Sequence, residues 1–207
     1  ADFLRLGDQV AGLLKAGARI FHVDVMDAHF VPNLTLGPGF AEALAAPVHA
    51  AGGLIDVHLM VERPGPMVDA FAGAADAISI HIEADPHPAR LLEQIREHGC
   101  LAGLSLNPGT PVAAAAPLGA GLDYVNLMAV SPGYAGQSFR TETPGRVEEL
   151  RALMPDVVIE VDGGVDIATL PGVRDAGADW FVSASAIFGA PDPIAAYDAL
   201  RSAAVGA

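Results

Sequence analysis

The chain is 207 residues and 21.2 kDa, enough for one domain with a sizeable core, and 52% hydrophobic against 17% charged content excludes disorder. A net charge of −14 with a pI near 4.6 argues against nucleic-acid binding and requires any anionic ligand to find a locally positive site. One cysteine, Cys100, excludes an internal disulfide, and one lysine, Lys15, removes Schiff-base and Walker-type phosphate-loop chemistry, which need a lysine placed elsewhere.

The start, Ala1-Asp2-Phe3-Leu4-Arg5, has no apolar signal core, and no later apolar run is long enough to cross a membrane, so a cytoplasmic protein is expected. A helical period over 2–16 stops at Gly17. Residues 20–26 then read as a strand whose two-residue period puts His22, Asp24 and Met26 on one face. A long, odd loop, 29–39, follows. The next strand, 54–60, repeats the arrangement with Asp56, His58 and Met60. Helix-like 64–75 leads to strand 77–82, and helix-like 86–98 leads to strand 102–106. His81 and Glu83 share a face here, but the sequence gives them no required role. The alanines at 113–116 read as helix filler. Strand 124–130 is followed by the glycine-bearing loop 131–143. Strand 157–161 runs into Asp162-Gly163-Gly164, and strand 180–185 completes the series. Two imidazoles and two carboxylates drawn from these strand faces would make a divalent-metal site with carboxylate to spare for proton transfer.

Apolar runs alternating with helical segments every ~20–35 residues are what repeated βα units produce. Gly17, Gly99 and Gly177 stop helices just before strands, while the loops after strands are longer and polar. The pattern fits a (β/α)₈ TIM barrel spanning residues 1–207 as a single domain, with its active site at the strand C-terminal ends. Only seven strand candidates appear, and the chain opens on a helix. The expectation is a barrel whose first strand is missing from this chain; the alternative is a seven-stranded or open doubly wound sheet. With almost no lysine, phosphate capture is assigned to backbone N–H groups at Gly133, Tyr134, Ala135 and Gly136, at Gly163 and Gly164, and at Ala184 with Ser185. These fall after the last three strands, where such barrels commonly grip phosphate.

Five segments together resemble the ribulose-phosphate 3-epimerase family: residues 22–33 (His-Val-Asp-Val-Met-Asp-Ala-His-Phe-Val-Pro-Asn), 56–61, 106–108, 131–137 and 160–164. They run in order over essentially the whole chain. The resemblance implies a metal-dependent enzyme, an isomerase interconverting D-ribulose 5-phosphate and D-xylulose 5-phosphate. It supplies Asp24 and Asp162 as the acid–base pair at C3. It also supplies His22, Asp24, His58 and Asp162 as ligands of one divalent ion, for which Zn, Fe(II), Mn and Co suit about equally. His58 would also meet substrate, and Met26, Met60 and Met128 would wall the site. Inverting a carbon beside a carbonyl requires proton removal on one face and delivery on the other, which two carboxyl groups can do. Asp56, deeper on the face of His58, is read as a buried hydrogen-bond partner. A six-carbon ketose phosphate such as allulose 6-phosphate, or a non-catalytic phosphosugar- or metal-binding barrel, stays open, as does homo-oligomerisation. Decarboxylase and synthase barrels built on Asp-x-Lys-x-x-Asp are disfavoured, since Lys15 is the sole lysine. Ala28, Ala135 and Ala184 stand where the family signature has glycine, and Ser131 where it has asparagine. Each added methyl would hinder a positive φ or crowd a phosphate oxygen. The serine that precedes Ala-Asp-Phe in the family, and contacts substrate there, is not in this chain.

Overall fold

The computed structural model describes residues 1–134 and 136–206. Seven parallel strands, β1 (Ile20–Met26), β2 (Leu54–Met60), β3 (Ala77–His81), β4 (Leu101–Leu106), β5 (Tyr124–Met128), β6 (Val158–Asp162) and β7 (Trp180–Val182), hydrogen-bond in strict chain order. Helices α1 (Leu6–Ala16), α2 (Pro38–Ala50), α3 (Pro64–Phe71), α4 (Pro88–Glu97), α5 (Thr143–Leu153), α6 (Leu170–Asp175), α7 (Ser185–Phe188) and α8 (Pro193–Val205) alternate with them. The result is a nearly closed TIM barrel with seven strands among the described residues. β1 and β7 end the ladder, and an apolar cleft of about 430 Å³ lies between them, walled by Phe21, Phe40, Phe181 and Tyr197.

Strand parity sorts the core into two layers. Val57, Leu59, Ile78, Ile80, Leu104, Val125, Leu127, Ile159 and Val161 are buried in the apolar cluster that also takes in helix residues. The alternate positions are buried and polar: Asp56, His58, Ser79, His81, Ser105, Asn126, Glu160 and Asp162. An apolar outer layer at roughly 25 cal/mol per Å² drives packing, which leaves the interior layer free to carry chemistry. Gly103 makes room inside, since a Cβ there would lie 2.7 Å from the Tyr124 hydroxyl and closer still to its ring.

Helix stops follow the glycines: Gly17, Gly99 and Gly177 take φ of 101°, 83° and 107°. Several boundaries differ from the sequence reading. β3 stops at His81, where a 3₁₀ turn, Ile82–Ala84, begins; β5 stops at Met128 and β7 at Val182. Past Met128, the register partner of Asp162, the Ala129 N–H still donates to Asp162 O, but the Ala129 carbonyl accepts from Arg140 of the following loop, so the ladder ends there. The alanines at 113–116 form no α-helix: Ala113 and Ala114 fall in one 3₁₀ stretch, Val112–Ala114, Ala116 opens another, Ala116–Gly121, and Ala115 joins them. Pro111, Pro117, Gly119 and Gly121 crowd that segment with residues that disfavour the α form. Among the described residues no helix is long and apolar enough to cross a membrane.

Candidate metal centre and active site

The parallel register of β1 and β2 sets His22 beside Asp56, Asp24 beside His58 and Met26 beside Met60. β6 brings Asp162 to the same end of the barrel, beside Met128 of β5. Four side-chain atoms converge there. His22 Nε2 lies 3.3 Å from Asp24 Oδ1 and 3.8 Å from Asp162 Oδ2; His58 Nδ1 lies 3.4 Å and 3.3 Å from the same two oxygens. Ligands about 2.0–2.1 Å from a tetrahedral ion sit roughly 3.3–3.4 Å apart, so these spacings suit a single small divalent cation. His22 Nε2, Asp24 Oδ1 and His58 Nδ1 are buried with no hydrogen-bond partner among the described residues. Burying such atoms unpaired is costly, and a cation is the partner this donor set fits. His22, Asp24, His58 and Asp162 are thus groups that could hold a metal ion.

Below this cluster the other ring nitrogen of His22, Nδ1, lies 2.6 Å from Asp56 Oδ2, and the Tyr124 hydroxyl donates to Asp56 Oδ1 at 2.6 Å. Glu160 Oε1 stands 3.6 Å from His22 Nδ1. Burial works to raise the Asp56 carboxyl, but His22 and Tyr124 outweigh it and hold the group below its ordinary value. Burial, with Asp56 close by, pushes Glu160 well above its ordinary value, so it keeps its proton. The floor thus holds one ionised and one neutral carboxyl. Burial alone would depress His22, but Asp56, Asp24 and Glu160 raise it well above the usual imidazole range. Burial also works to raise Asp24, and the neighbouring His22 and His58 override it, holding the carboxyl far below the usual range. Asp24 is therefore an anion, with Oδ1 sequestered and the rest of a 42% exposed side chain facing the barrel mouth.

His58 is fully buried, and its far nitrogen, Nε2, lies 2.8 Å from Nε2 of His81. His81 Nδ1 in turn lies 3.2 Å from Glu83 Oε2. Burial pushes His81 down to about 4, keeping it neutral, and Glu83 is held at about 2, His81, Thr110 and the Asn107 N–H outweighing the opposing effect of burial.

A narrow cleft opens over the cluster. Asp24 and Asp162 form its polar floor, and Met26, Met60 and Met128, all buried, line its sides. Gly133, Tyr134, Gly136, Gly163, Gly164, Ala184 and Ser185 line the same cleft. Every described residue proposed from sequence for substrate, acid–base or wall therefore borders this cleft except the buried His58; His22, proposed only as a metal ligand, does not border it either. Ala135 lies outside the described residues. No lysine or arginine borders the cleft among the described residues. Gly163 and Gly164 take φ of 106° and 67°, and a Cβ at either would run into Val130 or the Phe139 backbone. Ser131, Gln137, Val165 and Val182 also border the cleft without a role assigned from sequence. Loop position is the signal that could have found Ser131 and Gln137; nothing in strand periodicity singles out Val182.

The loop after β1 is braced across this mouth. Asp27 accepts from the N–H groups of His29, Phe30 and Glu62, Asn33 Nδ2 donates to Gly133 O at 3.0 Å, and the Tyr134 hydroxyl donates to Pro32 O at 3.0 Å. Ala28 in that loop takes φ 60°, alone among the described non-glycine residues, where the family signature has glycine.

Comparison with known proteins shows the family to which the chain belongs. Residues 1–188 match the ribulose-phosphate 3 epimerase family. A ribulose-phosphate 3-epimerase of Serratia marcescens is 46% identical over 93% of this chain and 93% of its own. One from Escherichia coli strain K12 is 44% identical over 98% of this chain and 91% of its own. Among solved structures, orotidine 5′-phosphate decarboxylase from Pyrococcus horikoshii superposes with a TM-score of 0.72 over 100% of this chain and 96% of that one; at 17% identity it speaks to the barrel fold alone.

Proposed function

Because the chain belongs to the ribulose-phosphate 3-epimerase family and is an enzyme of that kind, we propose that it interconverts D-ribulose 5-phosphate and D-xylulose 5-phosphate by two-carboxylate proton transfer at C3. The observation that carries the mechanism is the pairing of Asp24 and Asp162, from strands on different sides of the cleft, around one ligand cluster. One carboxylate takes the C3 proton, and the electron pair of the broken C–H bond moves toward the C2 carbonyl oxygen. The other carboxyl, protonated at the start, delivers its proton to C3 from the opposite face as the C2 carbonyl re-forms. The two groups finish with exchanged protonation, so the pair works in both directions.

A divalent ion held by His22, Asp24, His58 and Asp162 would supply Lewis-acid stabilisation of the negative charge that develops on the ketose oxygens. Met26, Met60 and Met128 exclude water from the reacting carbon with soft apolar walls, which strengthens the electrostatics of the site. Phosphate binding is assigned to backbone N–H groups around Gly133, Gly136, Gly163, Gly164, Ala184 and Ser185, which border a cleft without cationic side chains among the described residues. Ser185 adds a hydroxyl.

The test is incubation of metal-loaded protein with D-ribulose 5-phosphate in deuterated water. Deuterium at C3 with D-xylulose 5-phosphate accumulating is the expected result. No exchange at C3 would overturn the five-carbon assignment and turn attention to six-carbon ketose phosphates.

A further inference from the structure

In a neutral imidazole one ring nitrogen carries the proton and only the other can bind a cation. For His22 the choice is local: with a cation in the cluster Nε2 is the nitrogen that faces it, and the one remaining proton sits on Nδ1, where the Asp56 carboxylate 2.6 Å away accepts it. His58 has no carboxylate behind it. We infer that His81 and Glu83 form a positioning relay that holds His58 through Nε2 and so presents its Nδ1 to a cation between Asp24 and Asp162; the inference rests on the metal centre proposed above.

The relay is read from its outer end inward. Glu83 is anchored on the turn after β3: Oε1 accepts from the Asn107 N–H at 3.0 Å and from the Thr110 hydroxyl, and Oε2 lies 3.2 Å from His81 Nδ1. An ionised carboxylate has no proton to give, so His81 donates from Nδ1. In neutral His81 this leaves Nε2 bare as an acceptor, and it lies 2.8 Å from His58 Nε2. Two ring nitrogens at that distance must share one proton, which therefore belongs to His58. The ring planes meet at only 27°, which suits an N–H···N bond lying near both planes. With its one proton on Nε2, His58 has Nδ1 left for a cation; that nitrogen is a buried atom without a hydrogen-bond partner, 3.4 Å from Asp24 Oδ1 and 3.3 Å from Asp162 Oδ2. Phe30 packs on the His81 ring with centroids 4.7 Å apart, holding it against rotation. Outer partners of this kind typically change metal affinity 10–100-fold when removed.

The relay is tested by comparing wild type with His81→Leu, Glu83→Ala and His81→Gln. Zinc affinity is measured by competition with a chromophoric chelator, imidazole protonation by long-range proton–nitrogen correlation spectra, and melting of the metal-free proteins separately. His81→Leu and Glu83→Ala should bind zinc about 10–100-fold more weakly. His81→Gln should stay within roughly threefold of wild type, because its amide oxygen accepts from His58 while its NH₂ donates to Glu83. In the zinc-loaded protein the spectra should place protons on His58 Nε2 and His81 Nδ1. Lowered melting temperature with unchanged zinc affinity in both disruptive variants would assign these residues to structure alone and overturn the relay, as would a proton on His81 Nε2. Wild-type protein that takes up no zinc would overturn the metal centre, and with it the ligand-orienting role.

Discussion

Asp24 stands between two environments: its Oδ1 is buried among two imidazoles, while the side chain as a whole is 42% exposed and borders the cleft. In the proposed mechanism that division would let one residue serve both the ion and the substrate carbon. Asp24→Asn and Asp162→Asn keep size and hydrogen bonding but lose the proton-accepting charge. Each should lower turnover by at least about 10³-fold with the circular-dichroism spectrum unchanged; wild-type turnover in either would remove the two-aspartate mechanism. His81 and Glu83 make an acid-side prediction. His81 titrates at about 4 instead of 6.5, so the folded protein binds fewer protons than the unfolded one; its contribution to stability is full above about 6.5 and is lost as pH falls toward 4. Glu83, held at about 2 instead of 4.5, adds stability that is full above 4.5 and fades toward 2. Denaturant melts from pH 7 to pH 3 should therefore show Glu83→Gln losing less stability than wild type below pH 4.5. Ala28, at φ 60°, pays for a left-handed conformation that glycine adopts freely. Ala28→Gly should stabilise the protein by about 0.5–1 kcal/mol in urea melts, and a destabilised variant would contradict that strain.

At the scale of elements, strand parity and register do most of the positioning. Because β1 and β2 pair in register without a bulge, one residue of slip between them would turn His22 and Asp24 to the face opposite His58. The inner layer also depends on Gly103 of β4, which leaves room for the Tyr124 ring whose hydroxyl holds Asp56. Gly103→Ala should cost about 1–3 kcal/mol by overpacking and weaken metal binding, since a displaced Tyr124 no longer holds the Asp56–His22 contact; a thermal melt and a zinc titration together check both effects. Phe30 and the β1 loop lie over this layer, tied to the β5 loop through Asn33 and Tyr134. Those ties are local contacts between loops that are remote in sequence, so nothing in the spacing of Asn33 or Gly133 announces them.

Across the whole molecule, the ligand cluster has a structural consequence as well as a chemical one. His22 and Asp24 come from β1 and Asp162 from β6, so an ion on all four groups ties together strands that approach the open seam from opposite sides. A chelator should therefore lower the melting temperature, and returning zinc, manganese or cobalt should restore it. At metal concentrations about 100 times the dissociation constant, linkage gives about 2.7 kcal/mol, or roughly 5–10 °C for a chain of this size. A melting temperature indifferent to both treatments would argue against a cation at this cluster.

Period, parity and punctuation are local properties of the chain, so they were readable before any folding. The two-residue alternation that groups His22 with Asp24 and Asp56 with His58, the seven strands in order, and the glycine stops at Gly17, Gly99 and Gly177 all depend on residues a few positions apart. The family motifs are local in the same sense, which is why they name the aspartates, histidines and glycines of the site directly. Contacts between strands are another matter. Only the folded barrel decides that His58 turns Nδ1 inward and Nε2 toward His81, that Asp56 is shared by His22 and Tyr124, and that Glu160 sits neutral beside an ionised Asp56. Those outcomes depend on burial and on distances between residues 23 to 104 positions apart in the chain, and neither quantity exists until the sheet curls round to bring β6 up to β1.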